Sequence, residues 1–317
     1  MRREGSALAG AGTVMMKELG DNLSSSRMRM LELLVFLTGA GAVFATIGEV
    51  RDAVGEDPFV FLRIFTTAKG ETLPSFAAFL GFLIPIVAIA LGFDSVNSEF
   101  NGKTMSRILA QPIYRDALLF GKFMAGLTTL AVMLSALWIF VIGLAILMLG
   151  LPPGAEEVMR SFAFLIAAVA YGGAWLALAM LFSVRFRSAA TAALASLAVW
   201  LLFAFFWNML VTVVTPILAP VDPYNPLSVL HTVEVGQALS RLSPNTLFAE
   251  TTLAFLNPGT RSLGLVLTSQ MQGAISGPLP FSESVALVWP QVTGLLATVI
   301  ALFTVAYVMF QRQEVRA

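Results

Sequence analysis

No cysteine occurs in the 317 residues. That removes disulfides, thiolate nucleophiles and cysteine-ligated metals, and it leaves the redox compartment undecided. Charge is scarce as well. Charged residues make up 12% of the chain, against roughly 25% in a typical soluble domain. They divide evenly between 19 basic and 19 acidic residues, so no net field draws in nucleic acid or an acidic partner. The single histidine, His231, has only Glu234 at i+3 beside it, which is half a metal site at best and no basis for expecting a metal. A Gly-x-Ser-x-Gly elbow and a His-Glu-x-x-His pair are both missing, so an intramembrane hydrolase lacks its machinery. The start, Met1-Arg-Arg-Glu-Gly-Ser, is basic with small residues after it, but no apolar run follows before Lys17. A cleavable signal peptide is therefore not expected.

What the chain has in excess is apolar surface: 57% of its residues are hydrophobic and the mean hydropathy is +0.83. A spanning helix needs about 20 mainly apolar residues, because lipid offers no partner for a backbone N–H or C=O. Six stretches qualify, near 30–47, 74–93, 118–149, 161–182, 189–218 and 288–310. The third and fifth exceed one crossing, and either tilt or begin as helix outside the hydrocarbon. No stretch alternates with period two over the length of a barrel strand, and no fixed-period repeat is visible. The expected fold class is an all-α integral membrane protein, a single domain over residues 1–317.

Orientation follows from the placement of Lys and Arg in short loops and beside span ends. With both termini cytoplasmic, 13 of the 19 basic residues fall inside, among them Arg27, Arg29, Lys103, Arg107, Arg115, Lys122, Arg185 and Arg187. The reverse orientation would put twice as many outside as inside. The outer segments are then 48–73, 151–157 and a long one, 219–284. Ionisable groups are nearly absent from the middle of the spans; Glu32 lies one turn into the first, within reach of the interface or of Arg29 at i−3. That scarcity weighs against a proton- or sodium-coupled carrier. Pro85 and Gly172-Gly173 read as a kink and as close packing.

The cytoplasmic stretch between the second and third spans contains Gly102-Lys103-Thr104, which has the look of the tail of a phosphate-binding loop. Such a loop needs a glycine five residues before its final Gly, and it follows a buried strand. Position 97 is Asn, and a membrane span precedes it. ATP is therefore not expected to bind here. Thr104 is instead a candidate N-cap, with Met105, Ile108 and Leu109 on one helical face and Gln111-Pro112 as the stop. The alternatives are a short amphipathic helix presented to the cytosol and a solvated loop whose basic residues only enforce topology.

The run Asp94-x4-Glu99-x-x-Gly102-Lys103-Thr104-Met105-x-x-Ile108-Leu109-x-x-Pro112-Ile113-x-Arg115-x3-Leu119-x-Gly121-Lys122 resembles the permease subunits of type-2 ATP-binding-cassette exporters. One departure is plain: Lys103 stands where that family often has glycine. The stretch from Met15 to Arg29, with Lys17-Glu18-Leu19 near its start, resembles the family's N-terminal amphipathic helix. Its stripe of Val14, Met15, Leu19 and Leu23 also suits a helix in the interface plane. The stretch from Arg241 to Gly259 resembles the outer loop of a subgroup.

The resemblance implies six transmembrane helices, an N-terminal interfacial helix in residues 1–29, a cytoplasmic coupling helix in 94–117 and outer re-entrant helices in 219–284. It implies that the coupling segment, with Glu99, Gly102, Lys103, Thr104, Arg107, Pro112, Arg115 and Lys122, docks on a separate ATPase subunit. Two copies of that ATPase would carry the ATP and Mg, this chain would bind no cofactor of its own and would not itself be an enzyme, and a second permease copy would complete a homodimer or a related heterodimer. The implied setting is the lipid bilayer of a prokaryotic plasma membrane, with no nucleic-acid partner. An ion-coupled secondary transporter and a non-transporting membrane scaffold are the other two readings.

The outer segment is expected to fold into two short helices, near 227–242 and 244–256. Leu227, Leu230, Ala238 and Leu239 face one way on the first, and Leu247, Phe248, Thr251 and Phe255 on the second. Ser243 and Pro244 would open the second helix, and Asn257-Pro258-Gly259 would end it. In the fifth span Phe203, Phe205, Phe206 and Trp207, followed by Asn208, read either as an interface belt or as a dimer seam or exit path. The alanine pairs from Ala189 to Ser196 suit a packed subunit interface. The fourteen methionines read as packing or lipid-facing residues. The cargo is not legible: a hydrophobic drug, lipid or peptide suits uncharged spans, and some permeases of this family serve copper-enzyme maturation.

Overall fold

The computed structural model describes residues 10–55, 57–69, 74–104, 114–222, 224–225, 227–264 and 277–313. Six helices among them are long and apolar enough to cross a bilayer. Their order is α1 (Ala11–Ser24), α2 (Ser26–Asp52), α3 (Val60–Thr66), α4 (Phe76–Gly92), α5 (Asn97–Asn101), α6 (Arg115–Leu149) and α7 (Ala155–Arg185). Next come α8 (Ala189–Leu201), a π-helical turn (Leu202–Phe206), α9 (Trp207–Leu218), α10 (Leu227–Ser240), α11 (Pro244–Leu256) and α12 (Phe281–Arg312). The spans are α2, α4 with α5, α6, α7, α8 through α9, and α12. Each coincides with the apolar stretch expected of it to within a few residues or extends it at one or both ends.

The fourth span, α7, is the hub. Buried residues fill 78% of its most apolar window, against 6% for the fifth span. It packs on α12, α4, α11, α6 and α8. Small residues allow this: a Cβ on Gly172 would stand 2.2 Å from the Leu130 side chain, and one on Gly92 would stand 2.7 Å from the Cβ of Ala179. Without a hydrophobic drive between helices in lipid, such close approach is the main source of cohesion.

Pro85 does not break α4. It removes the N–H that would have bonded the Gly81 carbonyl, and the hydroxyl of buried Tyr171 lies 3.0 Å from that oxygen. The fifth span, by contrast, does contain an irregularity that no sequence signal announces, the π turn at Leu202–Phe206. The turn stands in the middle of the span and not at its end, which corrects the interface-belt reading of Phe205, Phe206 and Trp207. Phe205 and Phe206 are exposed, while Trp207 Nε1 donates to the Leu239 carbonyl at 3.1 Å and Asn208 is exposed. The small-residue stripe of this span is used within the chain: Ala192, Ser196 and Trp200 are its buried residues, where α8 packs on α7 and α4.

The long segment between the fifth and sixth spans forms the two short helices expected. On α11 the face of Leu247, Phe248, Thr251 and Phe255 is buried. The face proposed for α10 is not: none of its residues is buried, and Leu227 is 69% exposed. Ser243 occupies the N-cap position of α11, with Pro244 at the first turn, but its side chain makes no cap bond. Arg160, fully buried, organises this end of the molecule. Its Nη1 donates to Ser284 Oγ at 3.0 Å and to the Phe255 carbonyl at 3.4 Å, Nη2 donates to the Leu279 carbonyl, and Nε donates to Glu156 at 2.9 Å. One guanidinium thus closes the C-terminal end of α11 and ties it to the start of α12. At the same end Glu157 accepts from the backbone N–H of Phe61 and of Gly154, at 2.8 and 2.7 Å.

Candidate functional site

At the other end of the bundle, the one that carries both described termini, three segments distant in sequence meet at Lys122. α1 lies along the first turns of α6, and Gly121 lets it come close. A Cβ there would stand 2.8 Å from the Ala11 carbonyl and 2.9 Å from Val14. One residue on, the Lys122 side chain is only 4% exposed and reaches Glu18 of α1 at 2.9 Å and Glu99 of α5 at 3.2 Å. A buried ammonium costs several kcal/mol unless it is paired and hydrogen-bonded, and here two carboxylates supply that compensation. Farther along, Asn22 Nδ2 donates to Thr129 Oγ1 at 3.4 Å. Val14 is buried, Met15 and Leu19 are half-buried and Leu23 is exposed, so the apolar stripe of α1 is partly spent on α6.

Glu18 is shared with Lys17, 3.1 Å away, which also pairs with Asp21 at 3.0 Å. Burial alone would lower the Lys17 pKa, but its hydrogen bonds to Asp21 and Glu18 outweigh that and hold it above the ordinary lysine value. Beside this cluster Arg27 forms an ion pair with Asp94 at 2.7 Å and lies over the Phe93 ring. Arg29 reaches back to the Ser24 carbonyl at 3.1 Å.

The segment after the second span is held from the other side by α7 and the loop behind it. Ser183 Oγ, buried, accepts the backbone N–H groups of Val96 and Asn97 at 3.0 and 3.2 Å, capping α5. Asn101 Nδ2 donates to the Arg187 carbonyl at 2.8 Å. Gly102, Lys103 and Thr104 then form a turn. Their amides are all engaged, with Ser98, Phe100 and Glu99 carbonyls at 2.8, 3.2 and 3.0 Å, and the Thr104 hydroxyl donates to the Glu99 carboxylate. A phosphate cradle needs free amides; the amides of this turn are all engaged, and its threonine hydroxyl is bonded to a carboxylate. Lys103 has φ +54°, the only non-glycine with positive φ among the described residues. The position where the resembled family often has glycine is thus one whose backbone favours it.

Of the expected coupling residues, Glu99, Thr104 and Lys122 come together, and Gly102 and Lys103 make the turn beside them. Arg107 and Pro112, with the helix expected around them, lie outside the described residues. Arg115 is placed elsewhere: it donates to the Gln313 carbonyl at 2.8 Å and lies over the Phe310 ring, closing the end of α12. Its neighbour Asp116 accepts from Tyr307 at 3.0 Å and from Gln311. Phe205, Phe206, Trp207 and Asn208 belong to the fifth span and not to this junction. Glu18 and Ser183 escaped the sequence reading of the site. Glu18 stood within the N-terminal motif, but nothing local to it points to a lysine 104 residues away.

The sequence matches the family described as ABC-2 family transporter protein over residues 13–315. Two relatives each bear the name probable ABC transporter permease protein NosY. The one from Stutzerimonas stutzeri is 28% identical over 197 residues, which is 61% of this chain and 66% of that protein. The one from Pseudomonas aeruginosa is 29% identical over 200 residues, 62% of this chain and 68% of that protein.

Proposed function

This chain belongs to the ABC-2 family of transporter proteins, and on that premise we propose that it is the membrane-spanning subunit of an ATP-driven exporter whose ATPase subunits are separate chains. The observation that carries the reading is the Lys122 junction. Residues 105–113 follow directly on the turn that Glu99 and Thr104 close, and Glu99 is bonded to Lys122 of the third span. A push that reaches this turn from an ATPase passes into α6 through a buried ion pair, and into α7 through Ser183. α1 rests on the same lysine, so the N-terminal helix moves with the third span.

In this reading the end bearing the termini is cytoplasmic, in keeping with the 13 basic residues on that side. Two copies assemble about a two-fold axis with two ATPases. The exposed apolar face of the fifth span supports a role for that span in contacts between copies. The names of the relatives agree with a permease and say nothing of cargo. Coupling weight belongs to Glu99 and Lys122 more than to Arg115, whose guanidinium is spent on the end of α12.

Purification from the native host tests this. A stoichiometric ATPase is expected to accompany the chain, and the chain alone is expected to have no ATP affinity. Saturable nucleotide binding by the isolated polypeptide, or transport that survives without ATP and collapses with an ionophore, overturns it.

A further inference from the structure

A cavity of about 460 Å³ opens on the side of the bundle opposite in height to the Lys122 junction, between α4, the fifth span and α11. That volume lies in the usual range for small-molecule sites, roughly 300–1,000 Å³. Its inner wall is Tyr171, Trp200 and Phe248, all buried, with Tyr171 stacked flat on Phe248 at 4.4 Å. Its rim is exposed and apolar: Phe82, Phe205 and Leu253. The rim lies on the first two turns of the second span, on the middle of the fifth span and on α11, so the mouth opens sideways from the bundle toward lipid.

Among the described residues, the polar groups of this cavity are short of partners. Trp200 is 4% exposed, yet its indole Nε1 has no acceptor. Thr251 returns its hydroxyl to the Leu247 carbonyl at 2.7 Å, as a helical threonine ordinarily does, whereas the buried Thr252 Oγ1 beside the cavity has no partner. The Tyr171 hydroxyl has one proton and two acceptors, the Gly81 carbonyl at 3.0 Å and Asn245 Oδ1 at 2.8 Å. A buried donor left unmade is costly, and two in one apolar cavity mark a place where something else completes the bonding. Among the described residues no Asp, Glu, Lys or Arg lines the space, so they offer a charged ligand nothing to pair with.

We propose that this cavity, walled by Trp200, Asn245 and Thr252, binds a neutral amphiphile: an apolar body lying past Phe82 and Phe205, and a carbonyl- or hydroxyl-bearing head that accepts from Trp200 Nε1 and bonds Thr252. The ester region of a membrane lipid and an amphiphilic cargo share that chemistry. The site stands independently of the exporter reading, since it needs no ATPase. The π turn at Leu202–Phe206 helps build it, by setting Phe205 on the rim one turn after Trp200.

The full chain in detergent micelles is to be equilibrated with a diazirine-tailed monoacylglycerol, irradiated and mapped by peptide mass spectrometry. Label is expected on residues 200–205 and 245–253. Trp200→Phe keeps an aromatic ring against Phe82 but removes the N–H together with part of the indole; it is expected to lower that label about three- to tenfold, the worth of one hydrogen bond, and beyond what the same change at Trp138 does. Ala249→Trp, on the exposed rim, is expected to abolish it with an unchanged melting temperature. Trp138→Phe also removes an unpartnered indole N–H, but lies outside the cavity, and should change nothing. A lipid adduct retained on the purified protein and lost in Ala249→Trp identifies the bilayer as the source; label without such an adduct identifies a transported amphiphile. Label spread evenly over the lipid-facing helices, indifferent to Trp200→Phe and Ala249→Trp, overturns the proposal.

Discussion

Lys122 is the residue whose environment the chain works hardest to satisfy. Removing one partner of a buried ion pair typically costs about 3–5 kcal/mol, because the other charge stays buried and unpaired. Lys122→Ala strands Glu18 and Glu99 together, so it is expected to lower the melting temperature clearly and to weaken ATPase pull-down. Lys17→Ala, at a side chain 61% exposed, should do neither. Both are checked by thermal melts and co-purification in the same detergent. Lys103 sits at the other extreme. Its left-handed backbone costs about 1–2 kcal/mol, which glycine would avoid while losing about 0.5–1 kcal/mol through its freer unfolded chain. Lys103→Gly is therefore expected to stabilise by about 0.5–1 kcal/mol, read as a small rise in melting temperature. No rise would mean that the turn is held by contacts of the Lys103 side chain.

Among the elements, α1 and α11 depend on single residues placed on other helices. Gly121→Leu would drive a side chain into Ala11 and Val14, so α1 should lift from α6 while the bundle persists. Limited trypsin digestion is expected to cut at Lys17 many times faster in this variant; unchanged cleavage would show that α1 is held elsewhere. At the opposite end, Arg160→Met removes the guanidinium donors to the Phe255 and Leu279 carbonyls and to Ser284. Local opening there should become easier, and hydrogen exchange is expected to accelerate over α11 and the first turn of α12, with α6 and α7 unaffected. A fully buried guanidinium is thus what fixes α11 against the start of α12. Composition and periodicity carry no sign of such a role, since its acceptors beyond α7 are backbone carbonyls that any residue could provide and a serine 124 residues away.

For the whole molecule, the absence of cysteine makes orientation directly testable. Lys17→Cys and His231→Cys each introduce a lone thiol at a position exposed in the fold. A membrane-impermeant maleimide added outside intact cells is expected to label position 231 and to spare position 17 until the membrane is opened. Labelling of position 17 from outside would invert the topology, and with it the placement of the ATPase at the Lys122 end.

The spans, their number and their order were legible in the residues themselves, because lipid forces each segment to satisfy its own backbone and so makes length and hydropathy decisive locally. The two outer helices were legible for a similar reason, since Ser243-Pro244 and Asn257-Pro258-Gly259 punctuate the chain whatever surrounds it. The grouping of Glu99 and Thr104 with Lys122 was within reach of the motif, but its third partner, Glu18, was not. Partners across a bundle are chosen by which helices pack together, and in a chain this apolar nearly every helix face is equally suited to packing. Only the tertiary structure decided that Arg115 closes α12, that Ala192 and Ser196 pack inward on the hub helix, and that the fifth span takes an extra residue in its middle. Each of these depends on distances between segments far apart in the chain, set by close approach at glycines and by buried polar groups finding the nearest partner, and neither is written in the period of any one helix.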